Sequence, residues 1–134
     1  MTAERDLSTL LRTLRPTRRP GRYVFTLTDE PPDGVDAVAS VREIEGLTLV
    51  LPQDDADRHY LAYTGTYAMI TLEVRSALDA VGLTAAVASA LAARDIACNV
   101  VAGYHHDHLF VPEHRADDAL AVLHDLAREA GGAL

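Results

Sequence analysis

A chain of 134 residues, 49% of them hydrophobic and with a formal net charge of −8, holds one ordinary domain or two very small ones sharing a core. No apolar run approaches the ~18 residues of a membrane helix, and the charged N-terminus MTAERDLSTLLRTLRP lacks the apolar centre of a secretory signal. The single cysteine, Cys98, excludes an internal disulfide and fits a reducing compartment, so a cytoplasmic protein without membrane attachment is expected.

The charge is uneven. Residues 1–22 hold six arginines against Glu4 and Asp6, a net of +4, while the remainder sets six arginines against eighteen acids, a net of −12. Affinity for phosphate backbones comes from Lys and Arg, so the acidic bulk argues against a general nucleic-acid binder. The Arg-bearing terminus reads as a solvated helix face followed by a linker, with a grip on RNA or an acidic partner as the alternative.

Taken in chain order, Leu7, Leu10, Leu11 and Leu14 share one helical face between Asp6 and Pro16. Pro16, Pro20 and Gly21 read as a linker. Tyr23–Thr28 alternates as a strand and closes in the turn-rich Asp29–Gly34. Val38–Ile44 and Leu47–Leu51 form a hairpin around Glu45-Gly46. Asp54–Tyr60 fits a short acidic helix.

The second half has a clearer grammar. Ala68–Arg75 alternates as a strand, and Val81–Arg94 is a helix so rich in alanine that both its faces can be buried. Ala97–Tyr104 and Leu109–Pro112 are strands flanking His105-His106-Asp107-His108. Arg115–Ala130 is a helix with Ala116, Ala119, Leu120, Leu123 and Ala127 along one face. The order is β-α-β-β-α, one strand short, after a first half that is also incomplete. Two such units complete each other by lending strands across one antiparallel sheet, which makes an α+β fold with helices on one face.

The chemistry concentrates where the strand ending near Ser76 feeds the helix beginning near Gly82. Backbone N–H groups at Gly82–Thr84 suit a carboxylate, helped by the helix dipole. Asp79 suits an ammonium, and Gly82 allows close approach of a ligand or a turn. A purely structural reading stands beside this one, with Asp79 capping the helix and Gly82 turning the chain.

The run Ala77-Leu78-Asp79-Ala80-Val81-Gly82-Leu83, followed by a helix and then Asp95-Ile96-Ala97-Cys98-Asn99-Val100, resembles the ACT domain. With Glu45–Leu51 and Tyr104–Pro112 added, residues 20–130 resemble the short bacterial tandem-ACT proteins, which are similar to aspartokinase regulatory halves and cytosolic arginine sensors. The resemblance implies ferredoxin-like βαββαβ units in tandem, with an N-terminal helix and linker at 1–20 and strand-exchanging units at 21–64 and 65–134. It implies an amino acid or related metabolite at a unit interface, bound by Asp79, Ala80, Val81, Gly82 and Leu83, with Asn99 contributing across the interface; Ser76, just before that loop, offers an extra hydroxyl. No cofactor is implied, and no catalytic domain is present in the chain to be regulated.

Two rival chemistries are weaker. His106 and His108 share a face of an extended strand and suit Zn²⁺, Ni²⁺ or Cu²⁺, with Asp107, His59, His114 or His124 as a third ligand; a turn in the segment would undo that alternation. Cys98 reads as inert packing, Ser76 and Ser89 have no spaced histidine, and Glu43 and Glu45 read as solvent-facing acids. Nothing selects a reaction. The alanine surface at 85–93 suits a homodimer contact. The expectation is therefore a non-enzymatic regulatory binder, with a ligand-free interaction module and a metal-binding protein as alternatives.

Overall fold

A computed structural model describes residues 6–74 and 81–131 of the chain. Asp6 opens the first helix, α1 (Leu7–Arg12), by accepting hydrogen bonds from the Thr9 N–H at 3.0 Å and the Thr9 hydroxyl at 2.8 Å. These bonds hold its carboxyl below the usual carboxylate range, as expected of an N-cap. Leu10 and Leu14 are buried, as the spacing requires.

The segment read as a linker is partly strand. β1 (Pro16–Arg18) pairs antiparallel with β5 (Tyr67–Leu72), with Pro16 opposite Leu72 and Arg18 opposite Ile70. The ladder extends at both ends, since the Glu73 N–H donates to Arg15 O at 2.7 Å and the Arg19 N–H to Met69 O at 2.8 Å. Proline is tolerated at the first residue of a strand, which is the place Pro16 occupies. After a break at 19–22, β2 (Tyr23–Thr28) continues along the same edge of β5 through a single pair, Tyr23 with Tyr67.

β3 (Ala39–Glu43) and β4 (Gly46–Pro52) form the expected hairpin, and β4 pairs along the whole of β2. On the far side of β5 lie β7 (Asp107–Pro112) and then β6 (Asn99–Ala102). All seven strands join one sheet in the order β3-β4-β2-β5-β7-β6, with β1 beside β5. Every pairing is antiparallel. The fold is the α+β arrangement that the residue patterns imply, with the helices on one face.

That face carries two apolar clusters. Ile70, Leu72, Leu109 and Val111 pack against Leu10 of α1, Val87 and Leu91 of α3 (Leu83–Ala92), and Ala119 and Leu123 of α4 (Ala116–Gly131). Val24, Leu49 and Leu51 pack under Ala56 of α2 (Gln53–Arg58) and under Val35 and Ala37 of the helix-free β2–β3 connection. α3 buries one face only, through Leu83, Val87 and Leu91, whereas Thr84, Ala85, Ser89 and Ala92 are exposed. Alanines alone therefore do not bury both sides of this helix. Arg115 closes its far end by donating to the carbonyls of Arg94 and Asp95 at 3.1 and 3.3 Å.

The helix-free face holds a third cluster. Val50, Met69 and Phe110 are buried there among Tyr23, Phe25, Ala39, Tyr67 and Val101. β2 and β7 are separated by β5, yet the Phe25 and Phe110 rings stand 5.5 Å apart, edge to face. Phe25 also meets Tyr67 at 5.2 Å, and Tyr23 meets Phe110 at 6.1 Å. Each such pair is worth about 0.5–1.5 kcal/mol beyond the area it buries.

Because Phe110 belongs to β7 and touches β2, it ties both halves of the sheet to one folding event. Phe110→Ala is expected to lower stability by about 3–5 kcal/mol in urea denaturation. Hydrogen exchange should then show lost protection in β4 as well as in β7. Loss confined to β5–β7 would mean that the halves fold separately.

Candidate functional site

The site suggested by the sequence divides across the described and undescribed parts of the chain. Ser76, Asp79 and Ala80 lie outside the described residues. Val81 is 83% exposed, Gly82 forms the N-cap of α3 with φ +102° and no side-chain cap hydrogen bond, and Leu83 is buried in the main core. The first turn is closed by the Ala86 N–H donating to Gly82 O at 2.8 Å. An α-helix leaves its first N–H groups without intrahelical acceptors, and the N-cap residue Gly82 makes no side-chain cap hydrogen bond. The helix dipole adds a positive potential at the same place.

Gly82 is needed for two reasons. Its φ lies in the left-handed region, where an L side chain is strained, and a Cβ would stand 3.0 Å from Cδ2 of Leu7. The helix start is thus held from outside by α1, an element that the sequence placed apart from the site.

Asn99 does not converge on Gly82 within the chain. It is exposed at the start of edge strand β6, opposite Phe110 and in register with Met69. The chain leaves β5 toward Gly82 at the other end, beyond Leu72, which is in register with Asp107 and Ala102. The two positions occupy opposite ends of the second half-sheet.

The histidine segment has a different part from the one its spacing suggested. The β6–β7 turn falls at Gly103–His106, where the Gly103 N–H donates to His106 O at 2.9 Å. Asp107 and His108 belong to β7. His106 Nδ1 lies 3.5 Å from the Val74 carbonyl, and His108 Nδ1 lies 3.0 Å from the hydroxyl of buried Thr71. Both imidazoles thus brace the end of β5 where it leaves for residues 75–80. Among the described residues no group of three or more His, Cys, Asp or Glu side chains could hold a metal ion. The turn puts His106 and His108 in different surroundings and removes the shared strand face on which the metal reading rested.

Electrostatics fit this structural part. Burial, then the His106 and Arg19 charges, hold the His108 imidazole below its ordinary pKa, with Asp107 opposing. Burial also raises the Asp107 carboxyl, against the pull of His108 and His106. Cys98 is half-buried, and burial pushes its thiol up to about 11, so it is no thiolate nucleophile near neutral pH. Glu43 accepts the Thr48 hydroxyl, and with Glu45 it lines an open cavity of about 540 Å³ floored by Phe25, Leu27 and Thr48. A smaller cavity of about 280 Å³ lies at Gly21, Arg22, Pro52, Gln53 and Asp54. Neither adjoins Gly82.

Gly82→Ala is expected to cost about 1–2 kcal/mol from the positive φ alone, and more from the Leu7 contact. Adding Leu7→Ala should recover only the steric share, which urea denaturation of the two variants separates. For His108, a pKa lower in the folded than in the unfolded chain means that the unfolded chain binds more protons near pH 6. The stability from this group is therefore complete above its ordinary value of 6.5 and declines as pH falls below it. His108→Gln should flatten the fall in stability between pH 7 and 5, with the His108 ring titrating below 6.5 by NMR.

Comparison with known proteins fits this architecture. Residues 2–68 and 64–125 each match a model of the ACT domain. A Vibrio cholerae protein of unknown function, described as a possible transport protein, is 41% identical, with 90% of this chain and 95% of that one covered at a TM-score of 0.82. An Agrobacterium tumefaciens protein, Atu0741, is 21% identical over 85% of this chain and 89% of its own, with a TM-score of 0.72. The regulatory subunit of aspartate kinase from Thermus thermophilus shares the fold at 11% identity, covering 87% and 97% of the two chains with a TM-score of 0.65. No curated protein matches the chain. Two consecutive domain matches that meet at the start of β5 agree with the two halves of the sheet, and the chain belongs to the ACT-domain family, with two ACT domains in tandem.

Proposed function

We propose that this protein is a non-enzymatic regulator that binds an amino acid or related small metabolite at the start of α3. The observation that carries the reading is the helix N-terminus at Gly82, whose N-cap residue makes no side-chain cap hydrogen bond, reached from residues 75–80 through Val81. ACT domains are regulatory modules, and the regulatory subunit of aspartate kinase shares this fold. The N-terminal N–H groups suit a carboxylate, Asp79 suits an ammonium, and Ser76 adds a hydroxyl. Asn99 would complete the site from a second copy, so the working unit is a homodimer. The units are taken as 21–64 and 65–134, with β2 and β5 shared between them. The protein acts in the cytoplasm, by favouring one arrangement of its units over another when the ligand is bound.

A thermal-shift screen of the full chain against the twenty amino acids tests this. A ligand at ~100 times its Kd adds about 2.7 kcal/mol, a rise of roughly 10 °C in Tm for a chain of this size. The expected result is a shift with one amino acid or a small related set, reduced by both Asp79→Ala and Asn99→Ala. A shift that survives Asp79→Ala, or none with any amino acid, overturns the reading.

A further inference from the structure

The arginines of the β1 segment divide by strand alternation. Pro16 and Arg18 lie opposite Leu72 and Ile70 of the main core, and Arg18 Nη1 stands 3.8 Å from Asp117 Oδ1 of α4. Those two face the helices, so Arg15, Thr17 and Arg19 face the helix-free side. The ladder carries all three, since Thr17 is opposite Thr71, Arg15 O accepts from the Glu73 N–H and the Arg19 N–H donates to Met69 O. Arg15 and Arg19 are exposed, and among the described residues neither forms an ion pair.

The strands beside β1 add cations to this end of the face. Thr71 is buried on β5, and its hydroxyl meets Nδ1 of His108 on β7 at 3.0 Å. The Arg19 guanidinium and the His106 imidazole both act on His108 and disfavour its charged form. β6 brings only Val101, opposite His108. The acids nearby do not neutralise the group. Asp107 alternates to the helix side with Leu109, and Glu73 is exposed at the end of the ladder without an ion pair.

Unpaired cations gathered on one face repel each other, and a bound anion relieves that repulsion. Arg15 and Arg19 lie about 13 Å apart along the strand at ~3.3 Å per residue, with Thr17 between them. That span exceeds a single carboxylate or phosphate. It suits two or more linked phosphoryl groups, which arginine holds through paired N–H donors. A long polyanion is disfavoured, because the chain beyond residue 22 carries a net of −12. We propose that Arg15, Thr17, Arg19 and His108 form a binding site for a compact oligophosphate, either inorganic pyrophosphate or the diphosphate end of a metabolite. The site lies on the opposite face of the sheet from α3 and does not depend on a ligand at Gly82.

Titration of the full chain with pyrophosphate tests the site, followed by NMR of the His108 ring and repeated with sodium chloride at equal ionic strength. The expected result is a saturable change with pyrophosphate alone, which weakens as salt is added. The bound anion should raise the His108 pKa by ~0.5 or more, since an opposite charge favours the imidazolium. Arg15→Gln and Arg19→Gln should each weaken binding at least ~5-fold, while Arg18→Gln on the helix side leaves it unchanged. ADP separates the two sources of the anion. Binding no tighter than that of pyrophosphate assigns the inorganic ion, tighter binding assigns the metabolite, and either supports the site. A response no larger than that to chloride overturns the proposal. So does binding that survives both Arg15→Gln and Arg19→Gln, or that falls equally with Arg18→Gln. A single-stranded RNA oligomer bound more tightly than pyrophosphate overturns it as well.

Discussion

The structure depends on how little joins its two halves. Along the line where they meet, the backbone supplies the short β1–β5 ladder and then one pair, Tyr23 with Tyr67. A junction so thin would hinge freely if hydrogen bonds alone held it. The aromatic cluster prevents this, because Phe110 reaches across β5 to Phe25 and Tyr23.

α1 is the second tie. Although it precedes the first half in sequence, Leu10 and Leu14 are buried in the core of the second, and Leu7 stands against Gly82. The N-terminal region therefore contributes to the second half twice, as a helix over its core and as a strand along its edge. Neither contribution serves the residues next to it in the chain.

Much of this was legible in the sequence. The strands at Tyr23–Thr28 and Ala68–Leu72, the hairpin around Glu45-Gly46 and the leucine face of α1 lie where the patterns put them. The alternation did not give the buried face, however: Ala68 to Leu72 are all buried, and in β2 Val24 and Thr26 are buried while Leu27 is exposed. β1 was not legible, because three residues opening on a proline carry too little pattern and their partner lies more than fifty residues away. α3 was overread at both ends. Gly82 takes a conformation that a helix cannot continue through, and Asp95 at φ +57° ends the turn after Ala92. For the site, a glycine before an alanine-rich helix was visible as a pattern, whereas Leu7 behind it was not, since that contact joins distant elements. The histidines drew the eye as metal ligands, but the turn at Gly103–His106 falls inside their run. A Cβ at Gly103 would stand 2.9 Å from His106 O and 3.3 Å from His108 Nε2. Glycine ahead of the run was the signal that the chain reverses there.

The placement of β1 and α1 also sets the order in which the molecule can be completed during synthesis. β1 has no partner until β5 has emerged, and α1 lacks its full seat until α4, ending at Gly131, is made. At about 5–20 residues per second, the first helix waits roughly 10 s on the ribosome for the surface it covers. Through that interval its leucines and the arginines that follow are open to solvent and to any chaperone or nascent partner. The helix made first among the described residues is sheltered only when α4 is made, so the folding of this region is closed by its first and last helices coming together.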